Sequence, residues 1–275
     1  MGEVPLVIVD VQRMGPSTGA ATTVSQGDVQ FIRWGTGGGY PVIALSPSTV
    51  AESYWLTAKA FDLAERFRCP VFLATDKELA MSLTTVDMAA SPGVSVRDRT
   101  VGPGGSPYTY RPNDRVTPLH EYGQGKAVRF TGSTQDEDAH ITKSPPIVEA
   151  LNRHLIDKIE DYREEIELID ADIDRTAATL VIGYGVTGGA VRAAVHKSRA
   201  AGKPISSVVV QSLWPIPETA LGKAMEGIDR IVVPELNVGL YCREIERIAG
   251  DRQVLGIEQI DGDLISPDQI LEVAG

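Results

Sequence analysis

Residues 41–76 read PVIALSPSTVAESYWLTAKAFDLAERFRCPVFLATD, which is a strand, a helix and a second strand in immediate succession. The helix is predicted over about 50–67, where apolar side chains recur at helical spacing on one face; these are Leu56, Ala60, Leu63 and Phe67. Ser48 or Thr49 is expected to cap it. The second strand, 71–75, is mostly apolar. Because strands that alternate with helices predict a parallel sheet, this stretch decides the α/β fold class.

Upstream of this unit, residues 4–11 (VPLVIVDV) read as a further strand that is apolar on both faces. Such a strand is typical of an interior position in a parallel sheet, with a neighbour on each side. Almost no chain precedes it here. We therefore expect either that this strand lies at a sheet edge or that the chain is one piece of a larger fold.

The last hundred residues return to the alternation of strands and helices after a long irregular stretch. Strands are predicted at 179–183, 206–211, 230–234 and 253–257, with helices at about 188–201, 217–226 and 238–249. Residues from about 90 to 145 are rich in Gly, Pro, Ser and Thr, and a polar, solvated connecting helix follows at about 146–170. The prediction is two parallel-sheet domains, residues 1–95 and 176–275, joined by an irregular segment and helix over 96–175.

The composition is that of a globular protein that does not bind nucleic acid. Hydrophobic residues make up 43% of the 275 residues and charged residues 23%, and the formal net charge of −11 would repel a phosphate backbone. No apolar run approaches the ~20 residues that cross a bilayer. The first residues lack the pattern of a signal peptide. We expect a cytoplasmic protein that binds neither nucleic acid nor membrane.

The two cysteines, Cys69 and Cys242, lie far apart and belong to no CxxC or Cys/His cluster. A disulfide framework is therefore not expected, which favours a reducing compartment. No metal-ligating residue is predicted. Iron–sulfur clusters need about four thiolates, so this chain alone cannot ligate one. If the protein passes electrons onward, another subunit has to take them.

Two glycine-rich motifs allow other interpretations. GYGVTG at 183–188 matches the G-x-G-x-x-G turn of dinucleotide-binding proteins, but the next predicted strand lacks the acidic residue that would bind the ribose. GPSTG at 15–19 matches the G-x-S-x-G nucleophile elbow, which needs a histidine and an acid beside its serine. No local signature of such a triad surrounds the four histidines, His120, His140, His154 and His196.

The loop over residues 12–25 follows the carboxyl end of a predicted parallel strand, where α/β sheets place their ligands. Arg13 is a lone cation beside glycines and small hydroxylated residues, namely Ser17, Thr18, Thr22 and Thr23. A guanidinium pairs with a planar anion through two hydrogen bonds, and hydroxyl groups can add more. The pattern indicates a site for a small anion, either carboxylate or phosphate. The alternative is a surface ion pair beside a glycine turn.

These residues carry a family resemblance. The segment VPLVIVDVQRMGPSTGAATTVSQGD resembles a stretch of the α subunits of 2-oxoacid:ferredoxin oxidoreductases, whose pattern is V-D-V-Q-R-x-G-P-S-T-G-x-P-T followed by Q-x-D. It continues through IALSPSTVAESYWLTAKAFDLAERFRCPVFLATD, RFTGS, VIGYGVTGGAVRAA, QSLWPIP and VVPELNVG, and so covers nearly the whole chain. The resemblance implies that Arg13 and Thr22 bind the carboxylate and the keto end of the substrate. Two positions depart from the family pattern: Ala21 replaces a proline, and Leu240 stands where glutamine is usual.

The resemblance also implies a fold and a reaction. The first domain would be an incomplete thiamine pyrimidine-binding-type domain, and the second would resemble the carboxy-terminal domain of transketolase. The protein would be a subunit of a thiamine-dependent enzyme that converts a 2-oxoacid and coenzyme A to acyl-CoA and CO₂, with electrons passed to ferredoxin or a similar acceptor. Thiamine diphosphate with Mg²⁺ would be shared with a β subunit, and an iron–sulfur cluster would lie on a partner. No catalytic residue is predicted in this chain.

One part of the family pattern has no counterpart in this sequence. The family's α subunit carries well over a hundred residues before the motif, including a Y-P-I-T-P-like substrate loop and a glutamate that activates thiamine. We therefore expect either an α subunit split between two polypeptides or a truncated piece, with an incomplete site and no activity in isolation. Two alternatives stay open: a non-catalytic assembly subunit of such a complex, or a dinucleotide- or flavin-binding module using Gly183, Gly185 and Gly188.

Overall fold

The computed structural model describes residues 1–93, 95–99, 116, 118–119, 122–123, 125, 128–129 and 131–275. Three features of the sequence analysis lie outside these residues: His120, the Gly/Pro-rich stretch 101–112, and Phe130 of the RFTGS motif. The described residues form two β-sheets with helices packed against them. Within them, no helix is both long and apolar enough to cross a membrane.

The first sheet has four strands in the order β1-β3-β2-β7. Three of them come from the first part of the chain and run parallel: β1 (Leu6–Gln12), β2 (Ile43–Leu45) and β3 (Pro70–Asp76). The fourth, β7 (Ser212–Trp214), comes from the second part of the chain and pairs antiparallel with β2. The sequence did not predict this crossing: the predicted strand covers 206–211, whereas the structure divides residues 206–214 at Gln211 between two sheets.

Helix α2 (Val50–Phe67) packs on one face of the first sheet, as its spacing predicts. The Thr49 hydroxyl caps the helix by accepting from the Glu52 backbone N–H over 3.0 Å. The predicted apolar face is confirmed, since Leu56, Ala60, Leu63 and Phe67 are all buried. Three short elements of this region were not predicted: α1 (Val29–Trp34), α3 (Lys77–Met81) and a 3₁₀ turn (Met88–Ala90).

Strand β1 lies at the edge of the first sheet, which confirms the first of the two expectations stated for it. Its backbone pairs only with β3 among the described residues. Apolar side chains remain exposed on both of its faces, as Ile8 (36%) and Val9 (57%) illustrate. The alternation of exposed apolar residues on both faces is unusual for an edge strand, which proteins normally protect with charge or proline.

The second sheet has five strands in the order β4-β6-β5-β8-β9. Their bounds are β4 (Ile169–Asp172), β5 (Thr179–Tyr184), β6 (Ser206–Val210), β8 (Arg230–Glu235) and β9 (Gln253–Glu258). All neighbours pair parallel except β4 with β6. The helices of this part are α6 (Thr187–Ala200), α7 (Glu218–Ala224), α8 (Cys242–Ile248) and α9 (Pro267–Ala274), of which α9 was not predicted.

The predicted connecting helix at 146–170 is wrong in two respects. It ends early, because α4 (Pro145–Glu160) and α5 (Arg163–Ile166) are followed by strand β4, an edge strand in which only Ile169 is partly buried. It is also not a solvated helix, since Ile159 of α4 packs in the core that α2 forms with the first sheet. Both cysteines of the chain are buried free thiols.

Candidate functional site

The carboxyl ends of the parallel strands of both sheets face one another across a seam. The strands end at Gln12 (β1), Leu45 (β2), Asp76 (β3), Tyr184 (β5) and Glu235 (β8). Contact across the seam is direct, because the Val186 backbone N–H donates to the Asp76 carboxylate over 3.1 Å. Parallel α/β sheets bind their ligands at this end of the strands. The residues that follow β1 are therefore the first to consider as a site.

The segment from Arg13 to Thr23, here called the Arg13–Thr23 loop, leaves β1 and folds back on itself. The Met14 N–H donates to the Thr23 carbonyl over 2.9 Å, and the Gly19 N–H donates to the Pro16 carbonyl over 3.0 Å. Gly19 has φ +51°, and a Cβ there would lie 1.9 Å from the Met14 carbonyl oxygen. Only glycine fits this turn, so the backbone conformation alone explains the second glycine of the GPSTG motif.

The two residues singled out in the sequence, Arg13 and Thr22, lie on this same closed loop. The bond between Met14 and Thr23 joins the residues that follow each of them in the chain, so both residues lie next to the closure of the loop. Both side chains are exposed. Within the described part of the chain, the Arg13 guanidinium makes no hydrogen bond or ion pair, which leaves its donor groups available to a ligand.

Backbone strain is concentrated in the same loop. Thr22 has φ +64° and Ser17 has φ +55°, both in the left-handed region. Threonine is β-branched and adopts this region rarely, at a cost of about 1–2 kcal/mol. Strain of this kind is typical of ligand-binding segments whose surroundings fix the backbone.

Two carboxyl groups lie near the base of the loop and were not identified from the sequence. Burial, together with the charge of Asp28, raises the pKa of Asp10 to about 6, and burial also raises the pKa of Asp28. The Asp28 backbone N–H donates to the Gln12 side-chain oxygen over 3.0 Å, which places this residue beside the end of β1. Asp28 is the acidic residue of the Q-x-D pattern. The pattern therefore marked its position in the sequence, although an aspartate there did not by itself indicate a chemical role.

Comparisons with known proteins identify the family. Residues 1–150 match the family model described as "Pyruvate flavodoxin/ferredoxin oxidoreductase, thiamine diP-bdg", and residues 177–270 match "Pyruvate:ferredoxin oxidoreductase core domain II". The 2-oxoglutarate synthase subunit KorA of Methanothermobacter marburgensis is 36% identical over 98% of this chain and 73% of its own length. The corresponding subunit of Methanocaldococcus jannaschii is 34% identical over 98% of this chain and 73% of its own length.

The chain belongs to the 2-oxoacid:ferredoxin oxidoreductase family. A solved 2-oxoglutarate:ferredoxin oxidoreductase from Magnetococcus marinus, with 2-oxoglutarate, coenzyme A and succinyl-CoA bound, has the same fold with a TM-score of 0.88 and 25% identity. The match covers 99% of this chain and 48% of that one. The predicted family, enzyme class and α/β fold class are thereby confirmed. Its relatives are named as subunits, so members of this family work in multi-subunit complexes.

The GYGVTG loop of this family member leaves no room for a dinucleotide. A Cβ on Gly185 would lie 2.6 Å from the Gln26 side-chain nitrogen, and one on Gly188 would lie 2.8 Å from Ser48 Cβ. The start of helix α6 is covered by Asp76, whose carboxylate accepts from the Val186 N–H where a pyrophosphate would have to bind. The structure therefore disfavours the dinucleotide and flavin alternative.

Ser17, the serine of the G-x-S-x-G match, has no triad in the described part of the structure. None of the described histidines makes a hydrogen bond to it. His154 lies 2.8 Å from the Glu3 carboxylate, His140 lies 3.5 Å from that of Asp136, and His196 is exposed on α6. A serine hydrolase thus finds no support in the geometry.

Sequence reasoning missed the residues that join the loop to the second sheet. Gln26 bonds to the end of β5, and Gly262 lies against Thr23 and Met14 of the loop. Neither residue carries a reactive group. Gln26 is the first residue of the Q-x-D pattern, which was the available signal. The Leu240 position, which departs from the family pattern, closes a turn in which its backbone N–H donates to the Asn237 side chain over 2.8 Å.

Proposed function

We propose that this chain supplies the oxoacid-binding loop of a thiamine-dependent 2-oxoacid:ferredoxin oxidoreductase complex. The reaction joins a 2-oxoacid and coenzyme A to give acyl-CoA and CO₂, and ferredoxin or a similar acceptor takes the electrons. One observation carries the proposal: Arg13, exposed and without a described partner, lies with the strained Thr22 on one closed loop at the carboxyl edge of a parallel sheet. The names of the relatives and of the solved homologue support 2-oxoglutarate as the first substrate to test.

Arg13 is proposed to hold the substrate carboxylate. Its guanidinium presents a planar pair of N–H donors that matches the two carboxylate oxygens, and such charge-assisted pairs are about twice as strong as neutral hydrogen bonds. Because the loop is tied at Met14 and Thr23, the guanidinium approaches from a fixed base. Fixing the carboxylate in this way also fixes where the keto carbon lies.

Thr22 is proposed to orient the keto group. Its hydroxyl can donate a hydrogen bond to the carbonyl oxygen. The left-handed backbone at this residue aims the side chain in a direction that ordinary loop geometry would not give. The preceding Ala21 stands where the family usually has proline, so here the loop's hydrogen bonds, rather than a proline ring, hold this conformation.

The cofactor assignment follows the family model matched by the first domain, which is described as thiamine diphosphate-binding. When bound, thiamine diphosphate supplies the carbanion chemistry of decarboxylation. The described residues contain no group of three or more His, Cys, Asp or Glu side chains placed to hold a metal ion. From the family resemblance, we propose that a β subunit binds the cofactor with its Mg²⁺ and that a partner holds the iron–sulfur cluster. The role of this chain is then to bind and orient the oxoacid.

Arg13→Lys in the assembled complex tests the proposal. Lysine keeps the charge but loses the two-pronged geometry, so kcat/KM for 2-oxoglutarate should fall by roughly one to two orders of magnitude, mainly through KM. Activity would be followed with coenzyme A and a viologen acceptor, across a panel of oxoacids. Arg153→Lys, on the exposed face of α4, is the matched control and should behave like wild type.

The outcome also separates the proposal from the assembly-subunit alternative. Wild-type kinetics for Arg13→Lys in an intact complex would contradict the assignment of Arg13. If Arg13→Ala were also fully active, the chain would serve assembly rather than substrate binding.

A further inference from the structure

The end of the Arg13–Thr23 loop is fastened to the second domain by Gln26, three residues further along. Gln26 is completely buried. Its side-chain nitrogen donates to the Tyr184 carbonyl over 2.8 Å. Its side-chain oxygen accepts from the Thr187 hydroxyl over 3.1 Å and from the Leu236 backbone N–H over 3.0 Å. One side chain therefore bonds to the ends of both β5 and β8 and to the first turn of α6.

The Gln26 backbone adds a second layer of bonds to the same place. Its N–H donates to the Leu236 carbonyl over 3.0 Å, and its carbonyl accepts from the Asn237 side chain over 2.8 Å. The neighbouring Ser25 hydroxyl donates to the same Leu236 carbonyl over 2.8 Å. The backbone N–H and C=O of Gln26 and both polar atoms of its side chain thus each have a hydrogen-bond partner in a buried site, where leaving a polar group unpaired is costly.

A second contact holds the loop from the opposite side. Gly262, in the segment between β9 and α9, has φ +89°, and a Cβ there would lie 2.1 Å from Thr23 Cγ2 and 3.2 Å from Met14 Cε. Met14 and Thr23 are the two residues whose backbones close the loop. The second domain therefore touches the loop at its closure as well as at its end.

We infer that the second domain positions the oxoacid-binding loop, with Gln26 as the positioning residue and Gly262 as the second support. The far end of the loop that carries Arg13 and Thr22 is fixed to the ends of β5 and β8 through Gln26, in addition to the bond that joins Asp28 to Gln12 of its own sheet. Gln26 acts through the loop backbone and does not touch substrate. The kinetic part of this inference rests on the proposed function, whereas the structural part does not.

The chain offers a matched control for the loss of a domain contact. Gln30 of α1 also reaches the second domain, since its side-chain nitrogen donates to the Leu240 carbonyl over 2.9 Å and to the Glu244 carboxylate over 3.1 Å. It lies outside the loop and on a helix. Gln30→Met removes comparable cross-domain bonds without releasing the loop.

Amide hydrogen exchange of the full chain, assembled with its partner subunits, gives a readout that does not depend on activity. Gln26→Met keeps the side-chain length but removes all three side-chain bonds, so the amides of Met14, Gly19 and Thr23 should exchange at least about tenfold faster. Gly262→Ala should have the same effect on the same amides, and it keeps the test available if Gln26→Met does not fold. Gln30→Met should leave them at the wild-type rate.

Steady-state kinetics provide the second arm. For Gln26→Met and Gly262→Ala, KM for 2-oxoglutarate should rise by about tenfold or more while KM for coenzyme A stays unchanged, as expected for a displaced binding loop. A merely structural role would lower the amount of active complex and thus kcat, without this split. Gln30→Met should keep both constants.

Loop exchange at the wild-type rate in both variants, or equal acceleration in Gln30→Met, would overturn the inference. Failure of the proposed function looks different. In that case Arg13→Lys keeps wild-type kinetics, while the exchange arm still reports whether Gln26 holds the loop.

Discussion

Two glycine-rich loops follow parallel strands in this chain, and the atoms around their glycines differ. In the Arg13–Thr23 loop after β1, Gly19 lies against the loop's own backbone at Met14, while the side chains of Arg13, Thr18 and Thr22 stay exposed. In the GYGVTG loop after β5, the glycines lie against packed atoms, with the Cβ position of Gly183 only 2.8 Å from Val191 and that of Gly188 equally close to Ser48. The same residue type thus permits a tight backbone turn in one loop and close packing of a helix against its neighbours in the other. A glycine-rich motif alone does not predict which of the two roles its glycines have. The atoms that surround each glycine in the folded chain decide it.

The largest expected effect comes from adding a methyl group at a packed glycine of the GYGVTG loop. In Gly188→Ala the new Cβ would lie 2.8 Å from both Ser48 Cβ and Val209 Cγ1, so backbone must shift and the free energy of unfolding should fall by about 1–3 kcal/mol. Urea unfolding of the full chain measures this change.

Gly189→Ala is the matched control, because nothing lies within 4 Å of its Cβ position in the same helix. It should raise stability by about 0.5–1 kcal/mol, since alanine is the better helix former. Equal effects of the two alanines would mean that close packing does not explain the GYGVTG glycines.

A smaller effect is expected in the Arg13–Thr23 loop, where one substitution should raise stability and lower activity. Thr22→Gly relieves the left-handed strain, which outweighs the backbone entropy of glycine, so stability should rise by up to about 1 kcal/mol. The hydroxyl is lost, so kcat/KM for the oxoacid should fall by about tenfold in the assembled complex.

Thr18→Gly serves as the control for that prediction, since Thr18 is exposed in the same loop but has no positive φ. It should lower stability slightly and leave kcat/KM unchanged. If both glycine variants destabilise alike, the backbone at Thr22 is not strained in solution.

The smallest expected effect concerns Asp10 and Asp28, the two carboxyl groups near the base of the Arg13–Thr23 loop. The pKa of Asp10 is raised to about 6 by burial and by Asp28, so between the unfolded value of about 4 and pH 6 the folded state binds more protons than the unfolded state. This group's contribution to stability therefore decreases as pH rises through that window.

Asp10→Asn should remove that slope and stabilise the chain at pH 7 relative to wild type. Urea midpoints at pH 4, 5, 6 and 7 measure it. Glu3 provides an internal contrast. Burial would raise its pKa, but the charge of Lys158 and a hydrogen bond with His154 lower it to about 2, so its contribution to stability is lost only as pH falls from about 4.5 through 2. An unchanged slope in Asp10→Asn would show that Asp10 is not the titrating group.

The fold was predictable where apolar residues within a short segment recur at the spacing of a helix or a strand. Helix α2 followed from the spacing of Leu56 to Phe67, and its cap followed from Thr49. Strand β7 was not predicted, because it has only three residues and directly follows the predicted strand 206–211. Only the three-dimensional arrangement divides residues 206–214 between two sheets. Helix α4 was extended too far for a related reason: the charged residues of 161–172 suit an exposed helix and an edge strand equally well.

The candidate site could be proposed from the sequence only where chemistry and resemblance coincided. Arg13 and Thr22 have groups that can bind an oxoacid, and the motif gave their positions. Gln26 has an ordinary amide, and its importance lies in five hydrogen bonds to four residues that are about 160 and 210 residues away along the chain. No local pattern encodes such distant contacts. The raised pKa of Asp10 likewise depends on burial, which the sequence of an apparently ordinary strand does not reveal.

Strand β7 has a consequence for how the chain is made. The ribosome synthesises β2 long before Ser212–Trp214, the segment that completes the first sheet beside it. At about 5–20 residues per second, the intervening stretch takes on the order of ten to thirty seconds to appear. During that time the nascent first half has an open sheet margin, and the Val29 carbonyl lacks the Trp214 indole that later donates to it over 3.0 Å. The protein is therefore expected to complete its folding only after synthesis of residue 214, and to need protection from neighbouring nascent chains until then.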